Sequence, residues 1–296
     1  MKIAYHASKH RPDVTLDQPL WDSLKDLGHE LYTPKQGDAS SALKDFSGDA
    51  TIIWRGNRLQ LKHFAPYPKP RVLVWTDGIM PNSSAEDCFL KKSIRVLKGQ
   101  SQELDAVAVY WKKLVPLFRE ILDIPVFELP HGTIPKFIPG EGDGVCFIGF
   151  QNRRRAVMIK HIEKKIGREV EWVGKIFDTY VNYMDGYFDI LRRNAICLNL
   201  HQVEPYGGFE QRVWDAMSVR RLCISERMED TDHLITAGKH YVEADQSEIV
   251  DVVKYYLDNK EEREKIALEG YKHGLGHTCT SRMEYLVEKI EELKNE

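Results

Sequence analysis

The stretch Ala195–Glu226, AICLNLHQVEPYGGFEQRVWDAMSVRRLCISE, most constrains what this chain can fold into. It reads as a buried apolar strand over Ala195–Leu200, a polar loop containing Gly207 and Gly208, a helix from near Phe209, and a second buried strand over Leu222–Ser225. Strand, loop, helix, strand is the repeating unit of a parallel sheet covered by helices. His201 falls where the first strand ends, and Arg212 and Asp215 lie in the helix that follows. In an open parallel sheet, ligands bind beyond the carboxyl ends of the strands, where helix N-termini offer unpaired N–H groups to anions. One segment thus carries a loose loop, a cation, a carboxylate and a helix N-terminus, which are the parts of a nucleotide site.

The same alternation runs through the chain. Strands are expected at Lys2–Ala7, His29–Thr33, Ala50–Trp54, Arg71–Trp75, Ala106–Trp111 and Val126–Leu129, with helices at Leu16–Leu27, Ala39–Phe46 and Lys112–Leu122. Leu16, Leu20, Leu24 and Leu27 recur at helical spacing, and Gly28 ends that helix. The Pro- and Gly-rich run LPHGTIPKFIPGEGDG places a domain boundary near residue 140. A second series follows: strands at Val145–Gly149, Glu169–Val173, Ala195–Leu200, Leu222–Ser225 and His240–Val242, with helices at Arg154–Lys165, Gly186–Arg193 and Phe209–Ser218. Helices are then expected at Glu248–Asn259, Glu261–His273 and Ser281–Leu293, with Ser247, Asn259 and Thr280 as caps. The fold class is α/β: two Rossmann-like parallel-sheet domains, 1–140 and 141–280, and a C-terminal helix over 281–296.

A length of 296 residues agrees with two domains of roughly 150 residues each. The net charge of −3 supplies no global basic field to draw the chain onto nucleic acid or an anionic membrane. Five scattered cysteines without C-x-x-C spacing read as reduced core residues, not as a metal or redox motif. No apolar run approaches the roughly 20 residues a membrane span needs, and the expectation is a cytoplasmic protein. No G-x-G-x-x-G follows the first strand, which argues against a simple NAD enzyme.

Two tandem Rossmann-like domains joined by PHGTIPKFIP resemble the GT-B glycosyltransferases. FIGFQNRRR, LNLH, RVWDAM and LCIS, in that order, resemble the group 1 glycosyltransferases, and the nearest branch is that of the spore maturation protein CgeB. The tail AGKHYVEADQSEIVDVVKYYLDNKEEREKIALEGYKHGLGHTCTSRMEYL is similar to the ending of that branch. The resemblance covers 145–290 well, and 1–140 at the level of fold. It implies transfer of a sugar from a nucleotide-diphosphate donor, a UDP-sugar first, with no cofactor and no bound metal. It also implies a donor on the second domain, an acceptor on the first, a cleft between them, and a last helix that crosses back to the first domain.

By resemblance, Asp215 holds the ribose hydroxyls, a task suited to a carboxylate that accepts from two donors at once. Members of the wider group carry a second acid eight residues earlier, where this chain has Gly207; Glu204 and Glu210 stand nearby but out of register. Arg153 and Arg154 are candidates for the diphosphate, whose charge fixed guanidinium groups stabilise as the leaving group departs. A helix start turns successive side chains by about 100°, so the run Arg153-Arg154-Arg155 cannot point wholly inward. Lys175, His201 and Arg212 are further phosphate or sugar contacts, and Gly207 and Gly208 allow close backbone approach. His6 and Asp77, after strands of the first domain, are candidates to assist deprotonation of the acceptor hydroxyl. His131 reads as a further candidate or a hinge residue, and Trp54, Arg55 and Trp75 as acceptor contacts or core. The acceptor is open: small molecule, polysaccharide, protein or a modified base in DNA, the last allowed by pairs such as Lys91-Lys92 and Lys112-Lys113 but not encouraged by the acidic net charge. A non-catalytic nucleotide- or sugar-binding protein is the rival from another class, supported by Gly207.

Overall fold

The computed structural model describes residues 1–6, 18–33, 46–54, 64–76, 97–99, 101–135, 139, 141–174, 185–201, 211–228 and 231–295. The chain divides into two compact units, Met1–Pro130 with Cys279–Glu296, and His131–Thr278. The chain passes between them from Pro130 to His131 and from Thr278 to Cys279. Thr133 and Ile134 are already tied into the second unit: Thr133 N–H donates to the His277 carbonyl and Ile134 N–H to Ser218 Oγ.

The first unit holds strands β1 (Lys2–His6), β2 (Glu30–Tyr32), β3 (Ala50–Trp54), β4 (Arg71–Trp75), β5 (Ala106–Val109) and β6 (Val126–Glu128). They form one sheet in the order β2-β1-β3-β4-β5-β6, with every pair parallel. Strands β3, β4 and β5 are buried throughout, as continuous apolar runs covered on both faces must be. Helix α1 (Gln18–Asp26) packs against α8 (Cys279–Asn295), and α2 (Leu114–Ile121) packs beside β6. Trp54 and Trp75 are core residues, edge-on to Tyr110 and Phe118. Of the two readings of these tryptophans, acceptor contact or core, their burial favours the core.

The second unit holds β7 (Gly144–Ile148), β8 (Glu171–Val173), β9 (Asn194–Asn199), β10 (Leu222–Glu226) and β11 (Val242–Ala244), all parallel, in the order β11-β10-β9-β7-β8. One face carries the main core, where Val145, Phe147, Ile196, Leu198 and Ile224 meet Ile159 and Ile162 of α3 (Arg153–Ile166) and Ile249 and Val253 of α6 (Ile249–Asp258). The other face is covered by α4 (Asp185–Arg192) and α5 (Gln211–Ser218). Cys146, Cys197 and Cys223 stand opposite one another on β7, β9 and β10 as free, buried thiols. Alternation puts them on the face away from the main core. Donating to Cys197, and burial, push the Cys146 thiol up, while the Cys197 thiol is drawn down by its bonds with Cys146 and Cys223.

Several local expectations shift. The last strand begins at Val242, not His240. Helix α5 is described from Gln211, with Phe209 outside the described residues. The expected caps do not act as such. The residue before α6 is Glu248, which makes no side-chain cap bond. Asn259 donates backward to the Tyr255 carbonyl at 2.8 Å and makes no cap bond to α7 (Lys260–Gly274). Thr280 lies inside α8, its hydroxyl 3.3 Å from Ser23 Oγ of α1. Among the described residues a cap forms at Asn152, whose Oδ1 accepts the Arg155 N–H at 2.8 Å at the head of α3.

Candidate functional site

In the second unit, β7 is followed by β8 on one side and, after a crossover, by β9 on the other. The chain thus diverges between β7 and β9, and a crevice opens at such a switch point beyond the strand ends. The residues at this edge come from the ends of β7, β9 and β10 and from the first turns of α3 and α5.

The start of α3 fans its three arginines around the helix axis. Arg153 is exposed, Arg154 half-buried and Arg155 buried. Arg155 is a strut: Nε and Nη2 donate to the Leu200 carbonyl at 3.0 and 2.8 Å, Nη1 donates to the Phe150 carbonyl at 3.1 Å, and the guanidinium lies over the Phe147 ring. It fixes the turn between β7 and α3 against the end of β9. Arg154 reaches across the edge to β10. Nη1 donates to Glu226 Oε2 at 2.8 Å and to the His201 carbonyl at 3.0 Å, and Nη2 closes a fork on Glu226 Oε1. Glu226, itself buried, also accepts the His201 N–H at 2.6 Å.

His201 is buried, and its Nε2 donates to the Arg227 carbonyl at 3.1 Å. A carbonyl can only accept, so this bond puts the ring proton on Nε2. Arg212 spans the divergence of the sheet. Its Nε donates to Asn199 Oδ1 at 2.9 Å on β9 and its Nη1 faces the Ile148 carbonyl at 3.4 Å on β7, with the guanidinium over Phe147. Asn199 is held in turn, its Nδ2 donating to Ser225 Oγ at 3.0 Å. Gly174 follows β8 at φ +88°, where a Cβ would lie 2.9 Å from the Gly149 carbonyl oxygen. Only glycine lets these two strand ends approach so closely.

Asp215 is 1% exposed. The Tyr187 hydroxyl of α4 donates to Oδ2 at 2.9 Å, and Gln211 Nε2 donates to Oδ1 at 2.8 Å. A buried carboxylate needs such donors, because removing a charge from water without them is costly. The same Gln211 nitrogen donates to the Gly132 carbonyl at 3.1 Å.

Of the residues singled out in the sequence, Arg153, Arg154, His201, Arg212 and Asp215 belong to this one sheet edge and its two flanking helices. Lys175, Gly207, Gly208, Glu204 and Glu210 lie outside the described residues. In the first unit, His6 ends β1, half-buried and edge-on to Phe64 at 5.0 Å between ring centroids. Asp77, Arg55, Lys91 and Lys92 lie outside the described residues, and His131 opens the second unit half-buried. Glu226, Asn199, Tyr187 and Gln211 were not singled out. Glu226 left one trace, an acid closing the apolar run LCISE. Among the described residues no group of three or more His, Cys, Asp or Glu is arranged to hold a metal ion. No described helix is long and apolar enough to cross a membrane.

A family model described as glycosyl transferase-like matches residues 153–288, from the first arginine of α3 into α8. No curated protein matches the chain by sequence. Among solved structures, sucrose-phosphate synthase from Thermosynechococcus elongatus superposes with a TM-score of 0.71 at 11% identity, over 100% of this chain and 99% of that one. HepE from Anabaena, solved with UDP and glucose, gives 0.69 at 10% identity over 99% and 100%. TarM of S. aureus, solved with UDP, gives 0.60 at 12% identity over 80% of this chain and 55% of its own. Two all-parallel α/β units with these likenesses define the fold as that of the GT-B glycosyltransferases.

Proposed function

We propose that the protein is a glycosyltransferase that takes a sugar from a UDP-sugar bound at the carboxyl edge of the second unit's sheet. The observation that carries this reading is the set of cations and one carboxylate at the switch point: Arg153, Arg154 and Arg212, on the first turns of α3 and α5, with Asp215 a turn further along α5. Asp215 receives the ribose hydroxyls, and Arg153 and Arg154 take the diphosphate beside the N–H groups at the head of α3. Arg212 and His201 line the sugar side, with Lys175, Gly207 and Gly208 completing the site. As the bond to the sugar breaks, negative charge grows on the departing diphosphate, and guanidinium groups already in place stabilise it. No divalent cation is then required. The choice of UDP is supported by HepE and TarM, proteins of like fold solved with that nucleotide.

The first unit is assigned the acceptor, with His6 and Asp77 as the groups that assist its deprotonation. The acceptor itself is a small molecule, polysaccharide, protein or modified DNA base.

The test is a thermal-shift panel of UDP, GDP, TDP, ADP and CMP with their sugar conjugates, on wild type and Asp215→Ala. A ligand at one hundred times its Kd stabilises the native state by about 2.7 kcal/mol. A shift selective for UDP and UDP-sugars, lost in the variant, together with slow hydrolysis of the same donor, is the expected result. No shift with any nucleotide overturns the site. Binding without hydrolysis or transfer to any acceptor class favours a non-catalytic binding protein.

A further inference from the structure

The chain enters the second unit at His131 and leaves it at Thr278. Inside that unit the two connecting segments are fastened to each other. Thr133 and Thr278 form a parallel bridge, Thr133 N–H donates to the His277 carbonyl at 2.9 Å, and the buried Thr133 Oγ1 donates to the Gly274 carbonyl at 2.6 Å. A Cβ on Gly274 would come within 2.6 Å of Thr133 Cγ2, so the residue that permits this approach is glycine.

Both segments are fastened, in turn, to α5, the helix that carries Arg212 and Asp215. Ser218 Oγ accepts the Ile134 N–H at 2.8 Å, the Trp214 and His277 rings lie 5.8 Å apart, and Gln211 Nε2 donates to the Gly132 carbonyl. Gln211 is the bond in this set that also touches the candidate site, because the same nitrogen donates to Asp215 Oδ1. A carbonyl and a carboxylate can only accept, so both contacts must come from the amide nitrogen, and its two hydrogens serve one each. A competing donor at Oδ1 therefore redistributes an amide that also grips the entry segment.

We propose that Gln211 is a positioning residue that links occupation of the Asp215 carboxylate to the segment 131–134. This inference rests on the reading of Asp215 as the ribose contact. Ribose hydroxyls arriving at Asp215 compete with Gln211 for Oδ1, and the amide shifts its donation towards Gly132 O. Linkage is reciprocal: if the nucleotide alters the grip on Gly132, a change in that grip alters nucleotide affinity. Thr133, whose hydroxyl bonds lie with Gly274 and His277, thus becomes coupled to nucleotide binding through Gln211.

The test is a double-mutant cycle of Gln211→Leu and Thr133→Val in the full chain, read as the Kd for UDP, with hydrogen exchange of the wild type with and without UDP. Thr133→Val keeps the side-chain shape and loses the hydroxyl. Thr133→Val is expected to change UDP affinity about fivefold in the wild-type background, at the lower end of typical site-to-site coupling, and to have no effect beside Gln211→Leu. UDP is also expected to change exchange at the Thr133 and Ile134 amides in the wild type. Additive effects in the cycle overturn the link while leaving the nucleotide site standing, and unchanged exchange at those two amides does so even where a variant fails to fold. Wild type that binds no UDP overturns the site and the link together.

Discussion

Acid should weaken the second unit through one histidine. His240 is buried, its ring stacked on His273 at 4.1 Å between centroids, with His277 4.5 Å beyond His273. Its Nδ1 accepts the Thr236 N–H at 3.1 Å, a bond that exists only while that nitrogen is unprotonated. Burial, then the neighbouring His273, and then Lys239 lower its pKa from 6.5 to about 4, against a small opposing pull from Glu269. A lowered pKa means that the native state binds fewer protons than the unfolded chain. The stability contributed is therefore complete above pH 6.5 and is lost as pH falls towards 4. At pH 4.5 the two pKa values give a loss of about 2 kcal/mol relative to pH 7. His240→Asn isolates the term, since the amide oxygen can accept from Thr236 and does not titrate. Urea unfolding of both proteins at pH 7 and 4.5 gives four stabilities. The drop between the two pH values should be smaller in the variant by about 2 kcal/mol. Its constant loss of stacking cancels in that difference. A difference under about 0.5 kcal/mol would refute the assignment of acid sensitivity to the buried stack.

Three further outcomes are expected. Gly274→Ala forces a methyl group against Thr133 and should cost about 1–3 kcal/mol, seen as a lower Tm with the fold intact by circular dichroism. Glu226→Gln removes the charge that Arg154 now grips, so UDP should bind several-fold more tightly while uridine, lacking phosphate, is unaffected; isothermal titration of both ligands checks this. Removal of divalent cations with EDTA should leave the rate of UDP-sugar hydrolysis or transfer unchanged, and a large loss restored by Mg²⁺ or Mn²⁺ would show that arginine charge alone does not serve the leaving group.

Strands were the most legible part of this sequence. Runs such as ATIIW, RVLVW, AICLN and LCISE are short, apolar and bounded by polar residues, and each forms a buried parallel strand. Helix bodies were legible from their spacing, but their ends were not. Whether Ser247, Asn259 or Thr280 caps a helix depends on backbone geometry that composition does not carry, and in each case the side chain or the helix start lies elsewhere. The candidate site divides in the same way. His201, Arg212 and Asp215 could be found because a strand end and a helix start announce themselves locally. Their partners could not: Tyr187 comes to Asp215 from another helix, and Glu226 comes to Arg154 from a strand end, joined by tertiary packing that leaves no spacing in the chain.

These partners also say how the site would work as a binding surface. Arg154 is forked on Glu226, Arg212 spans Asn199 and Ile148, and Asp215 accepts from Tyr187 and Gln211. The charged groups are held in place before any ligand arrives, so a nucleotide need not first order long, flexible side chains. It must instead share or displace bonds the protein already makes. Exchanging one charge-assisted bond for another yields only a modest net gain, since the bond formed offsets the bond given up. In the proposed site, ground-state affinity from these residues is thereby limited, whereas the cations stay fixed where charge would grow on a departing diphosphate. Stabilisation realised more in the transition state than in the bound donor is the kind that raises a rate. Glu226 therefore acts as a restraint on Arg154 as well as a competitor for it, which is why its charge should be visible in phosphate affinity and invisible to the uridine moiety alone.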